Sequence, residues 1–268
     1  MKKDKSFGIA FGGGAARGLA HIGVLRYLEE NSLKAKDVSG TSIGAIIASL
    51  YAFGKTSQEM RDICASINYL KLIDFDLKKG LIAGNKIKVF LKDIFGSTKI
   101  EDLDMPLHII STNINTGEKK IFDSGSIVDA IRSSISIPGI IMPNKIKHED
   151  LVDGGINNNL PIEVSKQDKV LAISVLRDIS RPIETKINFL GFEIKQNIFG
   201  LGYQILQKSI DIMMEQNENN SVKSREGIVF LHPIMPGIDY YEFHKYDEII
   251  EIGYKSAMEN NLCKKLSD

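Results

Sequence analysis

A short apolar run, Ser6-Phe-Gly-Ile-Ala-Phe11, ends in three consecutive glycines and then in a helix-forming stretch from Ala15 to Glu30. A strand that passes to a helix through glycines brings loop N–H groups to the helix N-terminus, where the backbone dipoles favour negative charge. Leu19, Ile22, Leu25 and Leu28 recur at helical spacing, with Glu29 and Glu30 closing the polar side. The pattern then repeats. Asp37-Val-Ser-Gly-Thr41 reads as a second strand, with a helix starting near Ile43. Further helices are predicted near residues 57–68, 85–95, 126–135, 199–219 and 245–261. Strands are predicted near 107–114, 118–123, 169–176 and 227–231. Alternating strands and helices imply a layered α/β fold with a mostly parallel sheet. No internal repeat or long Pro/Gly/Ser linker interrupts the chain, so one domain spanning 1–268 is expected.

Charge narrows the classes of partner. Lys plus Arg and Asp plus Glu both number 34, so the formal charge is zero and there is no broad field toward nucleic acid. No nucleic-acid partner is expected. Cys64 and Cys263 show no CxxC spacing, which suits a reducing compartment and argues against a zinc site. Met1-Lys-Lys-Asp-Lys-Ser imitates the start of a signal peptide, but the apolar run behind it stops at Phe11. The uncharged stretch Val38 to Gly54 is short for a membrane span and reads better as a buried turn and helix. A cytoplasmic location is the expectation.

Two motifs carry chemistry. The loop Gly12-Gly13-Gly14-Ala15-Ala16-Arg17-Gly18 suits a phosphate or a transient oxyanion equally. A dinucleotide fingerprint would need a third glycine where Arg17 stands, and no G-K-[ST] follows for a P-loop. The second motif, Gly40-Thr41-Ser42-Ile43-Gly44, is a G-x-S-x-G between a predicted strand and helix. That is the setting of a nucleophile elbow with Ser42 at its tip. The N–H of Ile43 is then a natural oxyanion donor.

A nucleophilic serine needs a base, and two candidates stand out. Asp153 ends the apolar run Leu151-Val152 and enters a Gly-Gly turn. His232 follows the last predicted strand and would complete the order Ser…Asp…His. Only one strand–helix unit precedes Ser42, whereas the elbow of an α/β-hydrolase follows several. A direct Ser42–Asp153 pair is therefore the favoured reading. His21, one turn past Arg17, reads as a packed helix residue, and Met213 and Met214 as helix packing.

The chain resembles the patatin-like phospholipases, in particular their compact bacterial cytoplasmic members. Four stretches carry the likeness: GGGAARGLAHIGVL (12–25), GTSIG (40–44), AIRSSISIPGIIMP (130–143) and LVDGGINNNLPIEV (151–164). The resemblance implies a three-layer α/β/α sandwich and a Ser–Asp dyad that hydrolyses lipid esters without cofactor or metal. By motif position, Ser42 is the nucleophile and Asp153 the general base. Gly13, Gly14 and Ala15 form the oxyanion hole, with Arg17 supporting it. Ala15 departs from the family pattern, standing where a third glycine is usual; it keeps the N–H but adds a methyl group and restricts positive φ.

Residues 185–206, TKINFLGFEIKQNIFGLGYQIL, include Phe189, Phe192, Phe199 and Tyr203, with Gly191, Gly200 and Gly202 expected to break any long helix. Such a segment is either core packing or a mobile flap that touches membrane transiently, with Lys186 and Lys195 near anionic headgroups. The expected partner is a lipid ester substrate.

Overall fold

The structure, a computed structural model, describes residues 6–76, 81–180, 186–189, 192–195 and 198–267. Along the chain, β1 (Phe7–Phe11) and β2 (Asp37–Thr41) come first, followed by the two-residue pair β3 (Phe75–Asp76) and β4 (Leu81–Ile82). Then follow β5 (Leu107–Asn113), β6 (Lys119–Phe122), β7 (Asn144–Ile146), β8 (Glu149–Asp153) and β9 (Lys169–Ile173). A separate antiparallel pair, β10 (Lys186–Phe189) and β11 (Phe192–Lys195), precedes β12 (Ile228–Leu231). The helices are α1 (Ala20–Glu30), α2 (Ile43–Ala52), α3 (Ser57–Ser66), α4 (Tyr69–Leu72) and α5 (Asn85–Phe95). After them come α6 (Ile127–Ser134), α7 (Ile198–Lys223), α8 (Tyr246–Glu259) and α9 (Leu262–Ser267).

The centre of the main sheet is parallel: β12, β9, β1, β2 and β5 pair in that order. All five residues of β1 are buried, as expected for a strand covered on both faces. Its alternation divides the core into two layers. Phe7, Ile9 and Phe11, with Leu171 and Ile173 of β9, face one way and pack with residues of α1, α2 and α8. Ala10, Val170 and Ala172 face the other way, against Leu160, Ile162 and Val222 of α7. Burying a side chain of the size of Phe11 or Ile9 contributes roughly 1.5–3 kcal/mol. The result is the three-layer α/β/α arrangement that the resemblance implies. Between α1 and α8 the backbones approach so closely that a Cβ on Gly23 would lie 1.8 Å from Ile250 O.

β8 was legible in the sequence only as an apolar run, yet its pairing locates the site. Ile109 and Ile110 of β5 pair with both β2 and β6, while Ser111 pairs with both β6 and β8. A strand has two edges, so β2 and β8 share the edge opposite β6. β2 is parallel to β5 and ends with Thr41 opposite Ile110; β8 is antiparallel and ends with Asp153 opposite Ser111. The carboxyl ends of the two strands therefore meet head to head.

Three predicted elements need correction. The stretch from Ala15 begins as a 3₁₀ turn, Ala15–Leu19, and becomes α-helical only at Ala20. The strand from Lys169 stops at Ile173 instead of 176. α7 runs for 26 residues through Gly200 and Gly202, which do not break it. Each glycine costs a helix about 1 kcal/mol, a penalty that a long helix can absorb. Of the predicted 185–206 flap, residues 185, 190–191 and 196–197 lie outside the described residues, as do the side chains of Phe189, Phe192, Phe199 and Tyr203. Among the described residues, no helix is long and apolar enough to cross a membrane.

Candidate active site

Ser42 occupies the single residue between β2 and α2 and turns the chain with φ 56° and ψ −125°. A non-glycine residue in so sparsely populated a region costs roughly 1–3 kcal/mol. The surroundings enforce it. A Cβ on Gly44 would lie 2.2 Å from Phe11 O, and one on Gly40 2.2 Å from Gly44 O, so both motif glycines exist to let backbones touch. Ser42 stands at the N-cap of α2 but makes no capping bond with its side chain. Its Oγ–H donates instead to Asp153 Oδ2 at 2.6 Å.

Asp153 is held from both sides. Its Oδ1 accepts from the N–H of Gly155 at 2.8 Å, and its own N–H donates to Ser136 O at 3.0 Å. The carboxyl is 2% exposed, and burial pushes its pKa up from 3.8 to about 6, against the opposing bonds from Ser42 and Gly155. Desolvation thus moves an ordinarily weak base toward the range useful at neutral pH. The stretch 130–143 supplies the scaffold. Ser134 Oγ accepts from the Ser42 N–H at 2.8 Å and donates to Ile110 O at 2.5 Å. Arg132, buried, donates to Ser136 Oγ at 2.6 Å and to the carbonyl of Met142 at 3.0 Å.

The glycine loop divides into anchored and open parts. Gly12 N–H donates to Ile173 O at 2.9 Å, and Gly13 N–H to Asn159 O at 3.3 Å. Ala16 N–H donates to Tyr240 O at 3.0 Å. Among the described residues, no group accepts from the N–H of Gly14 or Ala15, and both residues line the cavity above Ser42. Gly13, expected as a third donor, is instead committed to Asn159, and a Cβ there would lie 3.1 Å from Ser42 Cβ. Ala15 adopts φ 45° despite its methyl group. Arg17, 3% exposed, sends its guanidinium away from the cavity to the carbonyls of Val175, Leu176, Met235 and Ile238 at 2.8–3.1 Å. It ties the 3₁₀ turn to the chain that follows β9 and to the chain that follows β12. Ile43 packs its side chain where a Cβ on Gly18 would fall, 2.2 Å from Ile43 Cγ2. His21, fully buried against Phe11, places Nε2 2.9 Å from Gly12 O. Because a carbonyl only accepts, Nε2 carries the proton, and burial drops the pKa to about 4.

The cavity joins Ser42 and Asp153 to Ile137, Ile140, Ile156 and Ile210. Such an apolar lining around a few polar groups suits an apolar chain that ends in a polar function. Met214 reaches into it, whereas Met213 is 43% exposed, so the adjacent methionines do not share a packing role. His232 is elsewhere: its Nδ1 lies 3.2 Å from Ser174 Oγ, and it lines a different cavity. The sequence order Ser…Asp…His is not realised as a triad.

A serine in a strained strand-to-helix turn, bonded to a buried aspartate beside two open loop N–H groups, narrows the possible relatives. The profile described as patatin-like phospholipase matches residues 9–165, more than half of the chain. The chain belongs to the patatin-like phospholipase family. It is 29% identical to a patatin-like phospholipase domain-containing protein of Caenorhabditis elegans, over 95% of this chain and 20% of that one. It is 28% identical to Lysophospholipase NTE1 of Pyricularia oryzae, over 98% and 19% respectively. An uncharacterized NTE family protein of Mycobacterium tuberculosis is 34% identical over 58% of this chain and 44% of its own. The chain therefore spans from about a fifth to under half the length of these curated relatives. Among solved structures, VipD from Legionella pneumophila aligns with TM-score 0.60 at 14% identity, over 96% of this chain and 67% of that one. The type III effector protein ExoU aligns with TM-score 0.50 at 13% identity, over 98% and 54%. Both share the patatin-like α/β fold with this chain.

Some residues of the patatin-like site had no local signal. Asn159 and Ser134 lie in the quoted stretches, but nothing in their spacing says that one grips Gly13 and the other Ser42. Glu218, bonded to Asn159 Nδ2 at 2.7 Å, reads in the sequence as one more polar residue of a helix.

Proposed function

We propose that this chain is a carboxylic ester hydrolase acting on phospholipid or lysophospholipid through a Ser42–Asp153 dyad. The observation that carries the reading is the 2.6 Å bond from Ser42 Oγ to a buried carboxylate, at a strained turn facing an apolar cavity. Ser42 Oγ attacks the ester carbonyl while Asp153 takes its proton, and the alcohol leaves as Asp153 returns that proton. Water, deprotonated by Asp153, then hydrolyses the acyl-enzyme. The oxyanion forms beside the N–H groups of Gly14 and Ala15, where loss of one donor commonly costs about 2.7–4 kcal/mol. Ile137, Ile140, Ile156 and Ile210 receive the acyl chain. No step calls on a cofactor.

Leu206 and Tyr241 both line this cavity and are exposed, at 49% and 55%, and Ile205 beside them is 49% exposed. In our reading this mouth meets the lipid surface briefly and hydrophobically, since the chain has no net charge to steer it. Replacing Ile205 and Leu206 by Ser is expected to weaken binding to phosphatidylcholine vesicles more than turnover of a soluble short-chain ester; equal losses would refute it. The catalytic reading is tested by a fluorophosphonate probe together with an ester assay. Wild-type protein should label at Ser42 and turn over the ester, and Ser42→Ala should do neither. An unlabelled wild-type protein that still binds lipid would instead mark a catalytically silent member of the family.

A further inference from the structure

α7 carries two buried acids, Asp211 and Glu218, exposed by 3% and 4%. Seven residues apart, they lie on one face of the helix two turns from each other, with Met214 between them pointing into the cavity. Each reaches a different end of the glycine loop. Glu218 Oε1 accepts from Asn159 Nδ2 at 2.7 Å, and the same Nδ2 lies 3.2 Å from Gly13 O. The backbone of Asn159 closes the grip by accepting from Gly13 N–H at 3.3 Å. At the other end, Asp211 Oδ1 accepts from Tyr240 OH at 2.9 Å, and Tyr240 O accepts from Ala16 N–H at 3.0 Å. Asp211 is itself fixed by Arg177 Nε at 2.7 Å. Between the two gripped residues, Gly13 and Ala16, stand Gly14 and Ala15, which line the cavity and whose N–H groups have no acceptor among the described residues.

We propose that Asp211 and Glu218 are positioning residues that clamp both ends of the oxyanion loop from α7, acting through Tyr240 and Asn159. The inference rests on the hydrolase reading for its consequence in rate, but the clamp itself is a statement about the loop. Neither acid touches the reacting atoms. Their effect is to fix where Gly14 and Ala15 point, and such placement matters because a shift of about 1 Å can cost a hundredfold in rate. α7 also carries Leu206 at the cavity mouth, so the helix that meets substrate holds the loop that stabilises the oxyanion.

The test uses two replacements at Glu218 and one at Tyr240. Glu218→Gln keeps an oxygen to accept from Asn159, whereas Glu218→Met keeps the volume and removes the acceptor without leaving a buried charge. Tyr240→Phe deletes only the hydroxyl, and so reports on the clamp even if Glu218→Met does not fold. On a soluble ester, Glu218→Met and Tyr240→Phe should each lower kcat by about 10–100-fold with KM changed less than about threefold, and Glu218→Gln should recover most of the loss. Hydrogen exchange at residues 12–18 should quicken in Glu218→Met and Tyr240→Phe but not in Glu218→Gln. Equal kcat for the Met and Gln variants, or a loss confined to KM, overturns the proposal. So does unchanged exchange in the folded Met and Phe variants. If the wild-type protein turns over no ester, the hydrolase reading fails and exchange alone decides the clamp.

Discussion

Ser42 follows β2 and Ser174 follows β9, so both serines stand at the carboxyl edge of the parallel strands, each beside a titratable side chain. Their surroundings differ in three ways. Ser42 is held at positive φ, is followed directly by a ten-residue helix, and donates its proton to a carboxylate across 2.6 Å. Ser174 has no positive φ, is followed by irregular chain, and has His232 Nδ1 3.2 Å from its Oγ. Strain at Ser42 turns the side chain out of the capping position and into the cavity. At Ser174 no positive φ forces the side chain outward, and the hydroxyl meets an imidazole in a different cavity. A serine beside a histidine therefore says less about chemistry than a serine whose backbone is forced.

The contrast can be broken most sharply at Asp153. Replacing it by Asn should lower kcat by about 10²–10⁴-fold, the range of a lost general base, with the fold retained on circular dichroism. In the wild-type protein kcat/KM should rise with pH through about 6 and then level, because only the ionised carboxylate accepts the serine proton. Stability runs the other way. The folded carboxyl holds its proton more tightly than the unfolded one, so stability falls as pH rises from 3.8 to about 6. An activity profile flat from pH 5 to 8 would argue against Asp153 as the base.

Next in size is Ala15→Gly. Relief of the left-handed conformation should stabilise the protein by up to about 1 kcal/mol, less the entropy that glycine loses on folding, and raise Tm by about 2 °C in calorimetry. A fall in Tm would mean that the Ala15 methyl packs usefully. The smallest effect is expected at the second serine: His232→Ala should leave kcat within about threefold of wild type, since its hydrogen bond ends at Ser174. A dead His232→Ala with an active Asp153→Asn would reverse the assignment of the base.

Much of the fold was legible because local patterns decide local structure. Phe7 to Phe11 reads as a buried strand, the periodic leucines of α1 as a helix, and G-x-S-x-G as a turn with no room for side chains at Gly40 or Gly44. The family blocks then placed Ser42 and Asp153 at the two ends of one expectation. Other readings failed where a local rule met a long element or a distant partner. Gly200 and Gly202 did not stop α7, and Gly13 proved to be anchored by Asn159 instead of open to ligand.

Residue order alone carries the alternation of strands and helices, the glycines that let the elbow close, and the expectation that Ser42 and Asp153 form a pair. Their meeting is a property of tertiary structure. β2 and β8 converge on one edge of β5 from opposite directions, and a strand pairs according to register and handedness, neither of which is written at residues 42 or 153. The displaced pKa of Asp153 has the same origin, because desolvation depends on what the whole fold packs around the carboxyl.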